Sequence, residues 1–136
     1  MRFAYPVEYT PQEGGFLVTF PDVPEAITDG ATREDAAERA IDALVTALSF
    51  YTDAGEPLPV PGKGQTYVVV PPLQAAKLAL YEAMKANRVT RAELARRLGA
   101  TETIARRLVD LRHRSHIDEV VRALRLLGKE VVLEVA

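Results

Sequence analysis

A single glycine stands between two short helical patterns in residues 89–111, and this arrangement constrains the fold more than any other stretch. Thr90 precedes Glu93 by three residues, which is the spacing of a capping box at the start of a helix. Leu98 ends the apolar stripe of the first pattern, and Gly99 follows at the place where a left-handed turn costs glycine least. The stretch therefore predicts a helix, a tight turn and a second helix.

The second helix is predicted to begin at Thr101, whose hydroxyl can accept from the free backbone N–H groups of the first turn. Ile104 and Leu108 are spaced i and i+4, so we expect both to face the core. Ala105 is small for a packing position, and we expect Ile104 to take over part of its packing. The outer face is expected to carry Glu102, Thr103, Arg106 and Arg107.

A helix with a polar and basic outer face fits the major groove of B-DNA while the helix before it crosses the backbone. The pattern predicts a DNA-binding helix-turn-helix, although an ordinary helical hairpin with a solvated charged face shares it. Arg106 is the candidate base contact, whereas Arg112 and Arg114 in the following loop are candidate phosphate contacts. The predicted DNA-binding residues are Arg91, Thr101, Glu102, Thr103, Arg106, Arg107, Arg112 and Arg114.

The formal charge differs strongly between the two halves of the 136-residue chain. Residues 1–70 carry four Lys/Arg and eleven Asp/Glu, a net charge of −7. Residues 71–136 carry thirteen Lys/Arg and eight Asp/Glu, a net charge of +5. The split indicates two domains with different partners, because phosphates suit the basic half and a basic protein suits the acidic half.

The first half has the pattern of a small α+β layer. A helix with a broad apolar face is predicted from the N-cap Thr32 to near Gly55, and Pro6 predicts an edge or bulged position in the first strand. We expect this helix on one face of a sheet, with the opposite face covered by a partner or a second copy. Strands are predicted at residues 2–9, 16–20, 25–29 and 66–70.

Two consecutive prolines mark the boundary between the predicted domains 1–70 and 71–136. The second domain is expected to be all-α, with a last helix capped by Ser115 or the residue beside it and an apolar stripe that starts at Ile117. The tail 129–135, KEVVLEV, alternates enough to be a terminal strand, and a lone strand must pair with something. An identical tail from a second chain is the economical partner, so we expect a DNA-binding and dimerisation domain and at least a homodimer.

Catalytic and metal-binding sets are weak in this sequence. The chain has no cysteine, which excludes thiolate ligands, and His113 and His116 alone cannot form a zinc site. Glu8, Asp22 and Asp29 could converge for metal or acid–base chemistry, but solvated strand-edge and turn positions account for them more simply. We expect no enzymatic activity and no cofactor. No run reaches transmembrane length and no apolar signal segment follows the start, so a cytoplasmic location is expected.

Two segments together resemble one known family. Residues 5–36, YPVEYTPQEGGFLVTFPDVPEAITDGATREDA, resemble the amino-terminal domain of HicB-type antitoxins, which commonly carry YPV…F-V-x-FPD-x-PG…T-x-G-x-T-x-E-x-A. Residues 90–131, from TRAELARRLG to LLGKEV, resemble the helix-turn-helix at the carboxy terminus of many members. The segments occur in the family's order and span most of the chain. Glu25 and Ala31 depart from the pattern, where the family often has glycine and aspartate.

This resemblance implies that residues 1–70 form a degraded ribonuclease-H-like fold without activity. It also implies a partner toxin, HicA, a small basic ribonuclease that cleaves mRNA and whose active site the antitoxin blocks, while the helix-turn-helix represses the operon as a dimer or larger assembly. We expect the toxin to meet the exposed carboxylates of Asp22, Glu25 and Asp29. Two other classes remain open: a repressor whose first domain senses a small molecule, and an active nuclease tethered to DNA.

Overall fold

The chain forms two units in the computed structural model, which describes residues 1–136. Unit 1 spans Met1–Pro71 and unit 2 spans Pro72–Ala136, so the boundary falls between two consecutive prolines. Unit 1 is mixed α and β, and unit 2 consists of helices and connecting segments. The α+β class predicted from the sequence is confirmed.

Unit 1 contains five short strands and one long helix. All strand pairs are antiparallel: β2, β3 and β4 form a three-stranded sheet in that order, and β1 pairs with β5. The elements are β1 (Ala4–Pro6), β2 (Glu8–Gln12), β3 (Gly15–Thr19), β4 (Ile27–Gly30), α1 (Arg33–Ala54) and β5 (Tyr67–Val69).

The strand predicted over residues 2–9 is divided at Val7, so its two arms pair with different neighbours. The backbone N–H of Val7 donates to the carbonyl of Thr66 at 3.0 Å, just before β5 begins. Pro6 ends the first arm, because proline has no N–H to donate to a neighbouring strand. The predicted alternation of side chains is interrupted at this division, since Tyr5, Pro6 and Val7 are all buried.

Helix α1 begins and ends at the residues that the sequence predicts. The Thr32 hydroxyl accepts from the N–H of Asp35 at 3.0 Å, and Gly55 closes the helix in the left-handed conformation at φ 70°. The predicted apolar face is narrower than expected, because Ile41 on its second row is exposed. The fully buried row is Ala36, Ala40, Leu44 and Leu48.

Gly30 brings α1 and β4 unusually close. A Cβ atom at this position would lie 2.4 Å from the backbone nitrogen of Ala36, which no side chain tolerates. Phe16 pairs with Gly30 across the ladder, and Val18 pairs with Thr28, so these residues share the face that α1 covers. The helix therefore covers one face of the three-stranded sheet and leaves the other uncovered.

Unit 2 packs its helices around one apolar core. Helix α2 contacts α4 and α5, and α3 contacts the same two helices. The core is aliphatic, with Leu80, Leu94, Leu108 and Leu124 among its best-buried members. The helices are α2 (Pro72–Asn87), α3 (Arg91–Leu98), α4 (Glu102–Val109) and α5 (Ile117–Leu126).

The inward position predicted for Ile117 is wrong, whereas the tail strand predicted over 129–135 stays a prediction, because its expected partner is a second chain. In the single chain residues 129–136 form no strand, and Val132, Leu133 and Val135 are exposed. A strand is stable only when its N–H and C=O groups pair with a neighbour, and a single chain offers this tail none. Ile117 is also exposed, because the first turn of α5 projects beyond the core that Val120 and Leu124 enter.

Candidate functional site

Helix α3 is held by a capping interaction at its first turn. The Thr90 hydroxyl accepts from the N–H of Glu93 at 3.1 Å, which confirms the N-cap. The Glu93 carboxylate accepts from the guanidinium groups of Arg96 and Arg97, and these hydrogen bonds lower the pKa of Glu93 to about 2. The single Glu93 carboxylate offsets one of the two guanidinium charges, so this exposed turn of α3 keeps a net charge of +1.

Gly99 makes the turn between α3 and α4. Its φ of 67° is left-handed, and its N–H donates to the carbonyls of Ala95 and Arg96, which end the helix. A Cβ atom at Gly99 would meet nothing within 4 Å, so the requirement for glycine is conformational and not steric. The helix, turn and second helix predicted from this stretch are all present.

Helix α4 presents a polar face, but its inner face differs from the prediction. Thr101 caps the helix by accepting from the N–H of Ile104 at 3.2 Å. Ile104 is 42% exposed, whereas Ala105 is fully buried together with Leu108. The inner stripe therefore runs through Ala105, and its small side chain suits the close contacts that α4 makes with α2 and α3.

The exposed side chain of Ile104 lines a cleft of about 350 Å³ beside the turn. Leu98 and Arg122 line the same cleft, and the Arg122 guanidinium donates to the Leu98 carbonyl at 3.4 Å. The predicted outer-face residues are all exposed, and Ile104 adds an apolar group to them. They are Glu102, Thr103, Arg106 and Arg107.

Lys77 on α2 is the functional residue that sequence reasoning missed. Its side chain is fully buried, and its ammonium donates to the carbonyls of Arg107, Asp110 and His113 at 2.7–2.8 Å. The Ser115 hydroxyl accepts from the same ammonium at 2.9 Å. Burial lowers the pKa of Lys77, and the Asp110 carboxylate partly offsets that effect. One cation thus holds the end of α4 and the loop after it.

The loop that Lys77 anchors carries the two predicted phosphate-binding arginines. The backbone N–H of Arg112 donates to the Asp110 carboxylate at 3.0 Å, and the Arg112 guanidinium lies 3.7 Å from the same oxygen. Arg114 is exposed two residues further on. Arg91, the remaining predicted site residue of unit 2, is exposed at the start of α3.

The three carboxylates predicted to meet a partner in unit 1 have different surroundings. Asp22 accepts from the N–H of Gly62 at 2.8 Å and so holds the proline- and glycine-rich connector. Glu25 accepts from the Tyr51 hydroxyl at 2.7 Å, which raises the pKa of Tyr51. Asp29 is exposed on β4. Two of the three carboxylates therefore accept a hydrogen bond from elsewhere in unit 1.

Nothing in the chain forms a metal centre. No group of three or more histidine, aspartate or glutamate side chains is arranged to hold a metal ion, so the convergence considered for Glu8, Asp22 and Asp29 does not occur. None of the helices has both the length and the apolar character needed to cross a membrane.

Comparison with known proteins assigns the chain to a family. A family model described as the HicB-like antitoxin of bacterial toxin–antitoxin systems matches residues 4–79. That match covers more than half of the chain and contains every strand of unit 1. The chain belongs to the HicB-like antitoxin family.

Relatives within this family match the chain over nearly its whole length. Antitoxin HicB 1 of Photorhabdus laumondii subsp. laumondii is 44% identical, with 96% of this chain and 86% of the relative covered. Antitoxin HicB of Escherichia coli strain K12 is also 44% identical, over 95% of this chain and 96% of the relative. Antitoxin HicB of Pseudomonas fluorescens strain Pf0-1 is 38% identical, over 99% of this chain and 95% of the relative. HicB antitoxins are regulatory proteins and not enzymes, so the chain is the antitoxin component of a toxin–antitoxin system.

Replacing Lys77 with methionine tests the role of the buried ammonium. Lys77→Met removes the charged donor that three carbonyls and one hydroxyl share, although each carbonyl keeps a backbone N–H donor. We expect unit 2 to lose about 3 kcal/mol of unfolding free energy. Chemical denaturation followed by circular dichroism measures the change. The matched control is Lys85→Met on the same helix, where the exposed ammonium lies 5.4 Å from the Tyr81 ring centroid. The control is expected to lose less than about 1 kcal/mol, and equal losses in the two variants would contradict the anchoring role.

Proposed function

We propose that this chain neutralises a small HicA-like ribonuclease toxin through unit 1 and represses its own operon by binding operator DNA through unit 2. The observation that carries this proposal is the joint occurrence of a full-length likeness to HicB antitoxins and a separation of charge between the units. Each unit has a net charge opposite in sign to that of its proposed partner. Opposite charge speeds encounter and disfavours the wrong partner.

Toxin neutralisation is supported in unit 1 by its acidity and by its one-sided architecture. The net charge of −7 over residues 1–70 suits a basic protein and opposes binding to nucleic acid. A sheet with one helix on one face leaves a surface for a partner. We further propose that this layer is a degraded ribonuclease-H-like sheet, which no longer carries the clustered carboxylates that a metal-dependent nuclease needs.

Operator binding is supported in unit 2 by the geometry around Gly99. Helices α3 and α4, the left-handed turn between them and the polar, exposed outer face of α4 support a helix-turn-helix. Such a helix enters the major groove with the residues that follow the turn closest to the bases. The proposed contacts are Arg91, Thr101, Glu102, Thr103, Arg106, Arg107, Arg112 and Arg114.

The assembly proposed for DNA binding is a homodimer or a larger homo-oligomer. The exposed apolar tail around Val132 and Leu133 supports this, because an alternating segment that finds no strand partner in its own chain can pair with its copy. A two-fold dimer of helix-turn-helix units reads an inverted repeat with half-sites about one helical turn or a multiple apart.

Co-expression with the neighbouring open reading frame tests the proposed function and its alternatives. We expect a small basic protein to co-purify with the chain in stoichiometric amount and to lose its ribonuclease activity in the complex. A ligand-sensing repressor would purify without such a partner, and a tethered nuclease would purify alone and cleave RNA with added magnesium. Either of these two results contradicts the antitoxin proposal.

Two arginine substitutions separate base reading from phosphate binding. Arg106→Ala removes a candidate bidentate guanine contact, so we expect a loss of about 1–3 kcal/mol at the operator and little change on random DNA. Arg114→Ala removes a candidate phosphate contact, so it should weaken both about equally and reduce the salt slope by about one unit. Binding of each variant to operator and to random DNA, measured over a range of salt concentrations, gives both effects. An Arg106→Ala variant that binds its operator like the unmodified chain would show that another face reads the DNA.

A further inference from the structure

The three-stranded sheet of unit 1 has one face that nothing in the unit covers. The register places Glu8, Thr19 and Ile27 side by side across β2, β3 and β4, and it places Thr10, Leu17 and Asp29 in the next row. Directly opposed residues of antiparallel strands point to the same side of the sheet. These six residues alternate with those that face α1, and we call them the outer sheet face.

The outer sheet face exposes apolar side chains at its centre and edge. Ile27 is 62% exposed and Leu17 is half-buried, although both lie on strands where apolar side chains normally enter a core. The threonines beside them, Thr10 and Thr19, add hydroxyl groups that can donate or accept. An apolar patch rimmed by polar groups marks a surface that binds another molecule.

The charges on this face have one sign. The five strands of unit 1 contain only two charged residues, Glu8 and Asp29, and both are carboxylates on the outer sheet face. Both cations of the neighbouring helix have partners within unit 1, and Arg39 lines the cleft that borders Ile27. The Arg33 guanidinium lies 3.4 Å from the centroid of the Tyr9 ring, and Arg39 is bonded to Asp35.

We propose that the outer sheet face is the surface on which unit 1 binds the basic toxin. This inference rests on the proposed function and adds the surface that carries it. The carboxylates attract a basic protein and repel the phosphates of DNA, so nucleic acid is a poor occupant. A second copy stacked on the same face would bring two net-negative surfaces together, which costs free energy without a compensating cation. Leu17 and Ile27 then form the apolar part of the interface, from which water is excluded in the complex.

The carboxylates of unit 1 that could meet the toxin differ in their surroundings. Asp29 belongs to the outer sheet face, whereas Asp22 and Glu25 are bonded to Gly62 and Tyr51. Glu8 joins these three as a further carboxylate proposed to meet the toxin, since a hydrogen bond leaves the charges of Asp22 and Glu25 in place.

A charge-reversal pair with a matched control tests the surface. The double variant Glu8→Lys/Asp29→Lys alters the outer sheet face, and Glu34→Lys/Glu38→Lys makes the same change in net charge on exposed positions of α1 that do not border Ile27. Association of the full chain with the purified toxin is measured by stopped flow over a range of salt. We expect the first variant to associate at least about tenfold more slowly at low salt than the second, with the difference vanishing at high salt.

A second pair tests the apolar centre without changing the charge. Ile27→Thr keeps a β-branched residue on β4 but removes apolar surface, and Val60→Thr makes a comparable change at an exposed position of the connector. We expect Ile27→Thr to raise the dissociation rate about tenfold and Val60→Thr to leave it unchanged. Circular dichroism spectra and melting temperatures of all four variants report whether they fold.

The outcomes distinguish this surface from the proposed function. If the unmodified chain binds no toxin, the antitoxin proposal is wrong and the surface with it. If the unmodified chain binds toxin but the two charge-reversal variants associate at the same rate, only the surface is wrong. A change of oligomeric state that Ile27→Thr causes in the chain alone would show that a second copy covers the face, and this too overturns the proposal.

Discussion

The arrangement of unit 2 depends on the hydrogen bonds that the Lys77 ammonium donates. An α-helix ends with carbonyls that no residue of the helix can satisfy, and α4 is followed at once by a loop with more of them. Lys77 is a second, charged donor to three carbonyls that also accept from backbone N–H groups, and it donates to the Ser115 hydroxyl from the same buried position on α2. A positive charge at the carboxy-terminal end of a helix is also favoured by the helix dipole. The position of α4 and of the basic loop therefore follows from α2.

Unit 1 rests on a different constraint, which is the close contact of α1 with β4 at Gly30. Since a single helix covers only one face of the sheet, the acidic outer sheet face is left uncovered. The charge of each unit opposes the function proposed for the other. Carboxylates on the sheet repel phosphate, and arginines beside α4 repel a basic protein. One chain can thus serve two partners without the units competing for them.

Local features of this fold could be predicted from the sequence, but features that depend on distant contacts could not. Thr32, Thr90 and Thr101 cap helices as expected, because capping involves residues only three positions apart. The assignment of Ile104 to the core was wrong by one residue. Hydrophobicity favours isoleucine, whereas the close approach of α2 and α3 favours the smaller Ala105.

The contacts of Lys77 span 30 to 38 residues, and in the sequence it was one basic residue among thirteen in its half. The tail strand stays a prediction, because it needs a partner that one chain does not provide. In the candidate site, exposure of the α4 face was predictable from helical periodicity. The bonds that engage Asp22 and Glu25 depend on the path of the connector and on α1, which no local pattern specifies.

The most direct test of this account is whether neutralisation and repression separate at the boundary between Pro71 and Pro72. Residues 1–71 are expressed with the toxin in cells that carry a reporter of the operon promoter, and growth and reporter output are measured together. We expect the fragment to restore growth without repressing the reporter, whereas the full chain does both. A soluble, folded fragment that leaves growth arrested would contradict it.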